Sequence, residues 1–93
     1  MTPAEADLRA ALARIGRWAS GYSEGVFEGR RYGVTLSASE DGRRRWIFGE
    51  ELGGTDRISA NLYELSPART VLRPCEMPAE KVVRFLLEFA PSP

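Results

Sequence analysis

The sequence predicts an α+β fold: an N-terminal helix, a four-stranded antiparallel sheet and a C-terminal helix, with both helices on one face of the sheet. Three observations predict it. Apolar residues recur at helical spacing over residues 1–19 and again over 78–89. Between these segments, from Tyr32 to Leu65, the apolar period changes to two. Turn-forming residues at Glu40-Asp41-Gly42, Gly53-Gly54-Thr55-Asp56 and Ser66-Pro67-Ala68 then cut that stretch into strands. The chain of 93 residues reads as one domain (1–19 helix, 26–74 sheet, 78–89 helix). A domain of that size holds a core but is marginally stable, and pairing with a second copy is a common remedy.

Taken in order, Thr2-Pro3-Ala4-Glu5 has the pattern of a capping box, with Thr2 at the N-cap and Pro3 at the first helical position. Ala4, Leu8, Ala11, Leu12, Ile15 and Trp18 form one stripe of the first helix, with Arg9, Arg14 and Arg17 off it. Ser20 to Gly25 breaks the period and reads as a connector; Val26-Phe27, before a bend at Glu28-Gly29, offers a short further strand that is not counted among the four. Tyr32, Val34, Leu36 and Ala38 alternate with polar or small residues, as in a strand with one buried face. A strand containing Trp46-Ile47-Phe48 follows. The third strand, Arg57 to Leu65, turns Ile58, Ala60 and Leu62 inward and Ser59, Asn61 and Tyr63 outward. Arg69 to Pro74 makes the fourth. Pro78 opens the last helix, whose wide apolar arc runs from Val82 to Phe89, and 90–93 reads as a frayed tail.

The turn after Ser39 fixes which side chains share a face. A two-residue Asp41-Gly42 loop pairs Leu36 with Ile47 and sends Trp46 and Phe48 to the far face. A three-residue Glu40-Asp41-Gly42 loop, with Gly42 left-handed, pairs Leu36 with Trp46 and Val34 with Phe48. Burying a Trp and a Phe in place of one Ile favours the second by several kcal/mol at roughly 25 cal/mol per Å². The expectation is therefore Trp46 and Phe48 inside.

Two helices cover one face of such a sheet and leave the other bare. On the expected register the bare face carries the candidate binding residues Arg31, Arg43, Arg45, Ile47, Asn61 and Tyr63, together with Thr35, Ser37 and Ser59. It is either solvated surface, a surface that pairs with a second copy or another protein, or a surface for single-stranded nucleic acid. Ile47 and Tyr63 would anchor a protein contact, with Gly33 and Gly49 allowing close approach. Arginines would take phosphates, and Tyr63 would stack on bases.

Composition limits the chemistry. Thirteen basic residues balance thirteen acidic ones, so no net field draws the chain to nucleic acid. Twelve of the basic residues are arginine, as high-GC codon usage produces. There is no histidine, hence neither the commonest general base nor the commonest metal ligand. Cys75, ahead of the last helix, is the one thiol; with no second cysteine and no base, it reads as structural. Glu50, Glu51 and Asp56 bracket the Gly53-Gly54 turn and match no cation-loop spacing, so they read as turn and cross-strand partners. The sequence accordingly predicts a non-catalytic binding module, homodimeric, with no cofactor and no metal. A single cysteine and the absence of a leader-like or membrane-spanning run point to the cytoplasm.

Four strands followed by a helix, entered by Arg30-Arg31-Tyr32 and bearing a Gly42-Arg43-Arg44-Arg45-Trp46 hairpin, resemble the PUR-like and Whirly single-stranded nucleic-acid binders over about residues 29–89. That resemblance implies a compact dimer binding single-stranded DNA or RNA on the sheet. The N-terminal helix and the zero net charge depart from the pattern.

Overall fold

The structure, a computed structural model, describes residues 3–92. It is α+β, with two helices and an antiparallel sheet. The sheet has six strands where the sequence predicts four, in the order β5-β4-β3-β2-β1-β6. Helix α1 spans Glu5–Ile15. The strands are β1 (Gly21–Phe27), β2 (Arg30–Ala38), β3 (Arg44–Glu51), β4 (Arg57–Ser66) and β5 (Arg69–Pro74). Helix α2 spans Ala79–Glu88, and β6 is the pair Ala90–Pro91.

The two additional strands have one cause. β1 carries Gly21, Ser23 and Gly25 where inward-facing apolar residues would announce a strand, so the stretch reads as a connector. Gly25 faces inward because Phe89 and the Ala90 carbonyl pack against its α-carbon, where a Cβ would collide with both. The tail that brings them there is β6, pairing Gly25 with Pro91 and Val26 with Ala90. Ser92 N–H donates to the Glu24 carbonyl at 2.8 Å, so the tail expected to fray is ordered to that point. β1 meets β2 through a two-residue turn in which Glu28 (φ 52°) and Gly29 (φ 76°) are both left-handed, the conformation a type I′ hairpin requires.

Helix boundaries also shift. α1 starts after Ala4, so Pro3 lies outside it, and the expected cap Thr2 falls outside the described residues. It stops at Ile15, beyond which Arg17 and Trp18 tighten the turn with bonds from Arg17 N–H to Arg14 O and from Trp18 N–H to Ile15 O. Arg14 is not merely solvated. Its guanidinium donates to the Leu86 and Phe89 carbonyls at 2.6 and 2.5 Å, satisfying carbonyls that the C-terminus of α2 leaves without helical partners.

Ala11 and Ile15 of α1 and Val82, Val83, Phe85, Leu86 and Phe89 from α2 and its C-cap join Phe27, Tyr32, Val34, Leu36, Ile47, Ile58, Ala60 and Leu62 in one core. Phe85 is its centre, with ring centroids 4.9 Å from Phe27, 5.0 Å from Phe89 and 5.3 Å from Tyr32.

The β2–β3 register is not the expected one. Leu36 pairs with Ile47, Thr35 with Phe48 and Ser37 with Trp46. Ile47 is 1% exposed, whereas Trp46 and Phe48 are 40% exposed on the opposite face. The loop holds four residues, 40–43, closed by Ser39 N–H to Arg44 O (2.8 Å) and Gly42 N–H to Ser39 O (3.0 Å). Gly42 is left-handed as expected (φ 73°). Asp41 accepts from the Ser39 hydroxyl and from Arg43 N–H, and its carboxyl is held below the ordinary value by those bonds, the backbone one first.

Energetics explain the outcome. Trp46 and Phe48 are already mostly covered by neighbours on their own face. At about 200 Å² per aromatic side chain, 40% exposure leaves roughly 160 Å², or about 4 kcal/mol, still to be gained by turning them inward. Turning Ile47 outward forfeits about 3 kcal/mol. Gly49, on the Ile47 face, decides the rest: a Cβ there would already meet Phe85 at 3.5 Å, so a bulky residue in that row would displace the centre of the core.

Candidate functional site

The strand residues alternating with the core form an outer face in five rows. Arg44, Tyr63 and Val71 lie across β3, β4 and β5. Ser37, Trp46, Asn61 and Arg73 follow, then Tyr22, Thr35, Phe48 and Ser59. Glu24, Gly33, Glu50 and Arg57 make the fourth row, and Val26 and Arg31 the last. Tyr22 (60%), Trp46 and Phe48 are exposed in the middle rows and Val26 (42%) beside Arg31 at one end, so the face is aromatic at its middle and carries its charges toward its ends.

Of the residues predicted for this face, Arg31, Asn61 and Tyr63 are on it and Arg43, Arg45 and Ile47 are not. Ile47 is core. Arg43 and Arg45 line a groove of about 280 Å³ on the other side, with Leu12, Gly16 and Glu64. The change of loop length exchanges them for Arg44, Trp46, Phe48 and Glu50, none of which was predicted for the face. Only the even loop length could have revealed them. Gly49 faces the core, and Gly33 is covered by the Tyr22 hydroxyl, so neither offers the close approach expected of it.

Local contacts hold the polar groups in place. The Arg44 guanidinium lies over both the Trp46 ring (5.4 Å) and the Tyr63 ring (5.9 Å), reachable because Arg44 pairs with Tyr63 and Trp46 is two residues along the same strand. At the other end, Tyr22 O–H donates to Glu24 at 3.0 Å, and Arg31 donates to the other oxygen at 2.7 Å. Glu24 accordingly raises the Tyr22 hydroxyl above the ordinary phenol value. Asn61 Nδ2 donates to Cys75 Sγ at 3.5 Å, giving the thiol a structural neighbour. Among the described residues neither Arg44 nor Glu50 has an ion-pair partner, though one begins and the other nearly ends the outer side of β3.

The acidic turn is tied to the rest of the fold by specific side-chain partners. Among the described residues, no three His, Cys, Asp or Glu side chains gather as a metal would require. Glu51 pairs with Arg30 at 3.5 Å, across from β3 to the start of β2. Gly53 is left-handed (φ 83°), whereas a Cβ on Gly54 would strike the Glu51 carboxylate. Asp56 reaches out of the turn, accepting from Tyr32 O–H at 2.6 Å and from Lys81 Nζ at 2.5 Å. It thus ties the β3–β4 turn to β2 and α2.

The Lys81 and Tyr32 bonds lower the Asp56 carboxyl below its ordinary 3.8, while burial and Asp56 push the Tyr32 hydroxyl well up. A depressed carboxyl contributes stability that is complete above the unfolded value and lost as pH falls through the folded one. A raised phenol contributes stability that is complete below 10.0 and lost as pH rises further. Asp56→Asn should therefore flatten the acid limb of a stability–pH profile, and Tyr32→Phe the alkaline limb. At pH 7 each should cost about 1 kcal/mol by chemical denaturation, the ion pair counting for little because it is partly solvated. Costs that add in the double variant would show that the two groups do not interact.

No helix among the described residues is long and apolar enough to cross a membrane. Compared with known proteins, the chain matches no family model, no curated protein and no solved structure.

Proposed function

We propose that the protein is a non-catalytic binding module whose working surface is the outer face of the sheet, both helices roofing the opposite face. The observation carrying this reading is Trp46 beside Phe48 on a central strand, exposed together with Tyr22 in the row of Phe48. Exposed aromatic side chains gathered in one patch and ringed by polar groups mark interaction sites, whereas single scattered ones are ordinary surface. Its composition of Trp, Phe, Tyr and Arg without Lys is that of contact surfaces between proteins.

A photo-cross-linking residue at position 48, in the chain produced in its native host, tests the reading. Position 48 should yield discrete adducts, and position 84, on the solvent side of α2, should not. Adducts from neither position, or equally from both, would remove the outer face as the working surface.

A second reading, single-stranded DNA or RNA, gains from the same correction of register, since Trp46, Phe48 and Tyr63 offer three rings beside Arg44, Arg57 and Arg73. Glu24 and Glu50 on the same face oppose phosphate. Fluorescence anisotropy of a labelled oligonucleotide separates the two readings. Binding that weakens steeply with salt and is lost in Trp46→Ala supports nucleic acid, and no binding at low salt excludes it.

A further inference from the structure

Resting on the reading of the outer face as a binding surface, we infer that its partner is a second copy of this chain, seated face to face about a twofold axis that crosses the strands at the level of Ile47. The reason is the order of side chains along β3. Its outer residues are Arg44, Trp46, Phe48 and Glu50, placed evenly about Ile47. Reversing the strand about that point lays arginine on glutamate and tryptophan on phenylalanine. An axis lying between the two faces and running across the strands performs this reversal, setting each strand over its own copy in the antiparallel sense.

The neighbouring strands satisfy the same operation. On β4, Arg57 falls on Tyr63 and Ser59 on Asn61, a cation over a ring and a hydroxyl facing an amide. On β2, Thr35 falls on Ser37. No like charges meet. The other simple arrangement, an axis along the strands, keeps every row over itself, so that Glu50 and Arg44 each lie in the same row as their own copies. A self-complementary patch is what an isologous dimer requires.

Packed sheets cross at about 30°, which displaces groups about 10 Å from the axis by roughly one strand spacing. Extended arginine and glutamate side chains reach across that offset. Five strands at about 4.8 Å and seven or so residues at about 3.4 Å give a footprint of roughly 600 Å² before side-chain relief, approaching the roughly 800 Å² per partner of a stable interface.

Charge reversal tests both the partner and the axis. Wild-type protein should sediment as a dimer, and Arg44→Glu or Glu50→Arg alone should weaken association on the order of 100-fold, since each places two like-charged pairs across the axis. Mixing the two single variants should restore a dimer as the heterodimer, which also shows that both are folded. The variant carrying both changes should dimerise alone. A wild type that stays monomeric to about 1 mM overturns the inference, as do single variants that dimerise like wild type or a mixture that does not recover. Cross-linking from position 48 keeps this apart from the broader reading. Adducts only to another macromolecule overturn the second copy and leave the outer face as the binding surface, whereas adducts from neither position end both.

Discussion

Phe85→Ala is expected to lower the thermal midpoint by roughly 15–30 °C, the largest loss from any single truncation in this chain. Phe85 is fully buried and contacts Phe27, Tyr32 and Phe89, so its removal opens a cavity among rings held by two strands and the C-cap of α2, which cannot close together. Truncations of this kind cost about 3–5 kcal/mol, and a domain of this size moves by roughly 4–8 °C per kcal/mol. Calorimetry or a thermal melt by circular dichroism measures it. A shift below about 5 °C would mean that this ring does not centre a close-packed core.

The same residue bears on the proposed binding surface. Phe85 rests over Gly49, so the inner side of β3 is small where the ring sits and the large aromatics of that strand are turned to the outer face. The exposure of Trp46 and Phe48 follows from what lies beneath them. A partner on the outer face therefore meets side chains whose backbone is fixed by the core, which reduces the entropy lost on association.

Helical spacing made the helices legible in the sequence and alternation made β2 and β4 so, whereas β5 was marked by the Ser66-Pro67-Ala68 turn ahead of it. The remainder was hidden for identifiable reasons. β1 turns a glycine toward the core, so its period is invisible until Phe89 and Ala90 are seen against it. β6 is two residues long and exists by pairing alone. The face of β3 depends on whether the loop after Ser39 is odd or even, and Asp41 and Gly42 suit either. Asn61 and Tyr63 were identifiable because β4 alternates without ambiguity, whereas Arg44 and Trp46 were lost with the register. Asp56 was expected to serve its own turn, and its bonds to Tyr32 and Lys81 span 24 and 25 residues that no local pattern connects.

Gly25→Ala should cost about 2–3 kcal/mol, a loss of roughly 10–20 °C, although it adds one methyl group to a residue whose backbone is not left-handed. The added Cβ would meet the Ala90 carbonyl, and it would lie 2.6 Å from the Phe89 ring. Backbone oxygen cannot swing aside as a long side chain can. β6 must lift from β1, taking with it the bond from Ser92 N–H to Glu24 O and partly exposing Phe89. Hydrogen exchange should show this locally, with the Ser92 amide losing protection well before those of β3 and β4. Gly49→Ala is the internal control. Its Cβ would find Val34, Phe85 and Ile58 at 3.4–3.8 Å, which is ordinary contact, so it should fall within about 1 kcal/mol of wild type. Equal effects from the two glycines would show that Gly25 is small for some reason other than the strand packed against it. A large effect at Gly25 alone would establish that the last residues close the sheet edge beside Tyr22 and Glu24, and so complete the outer face.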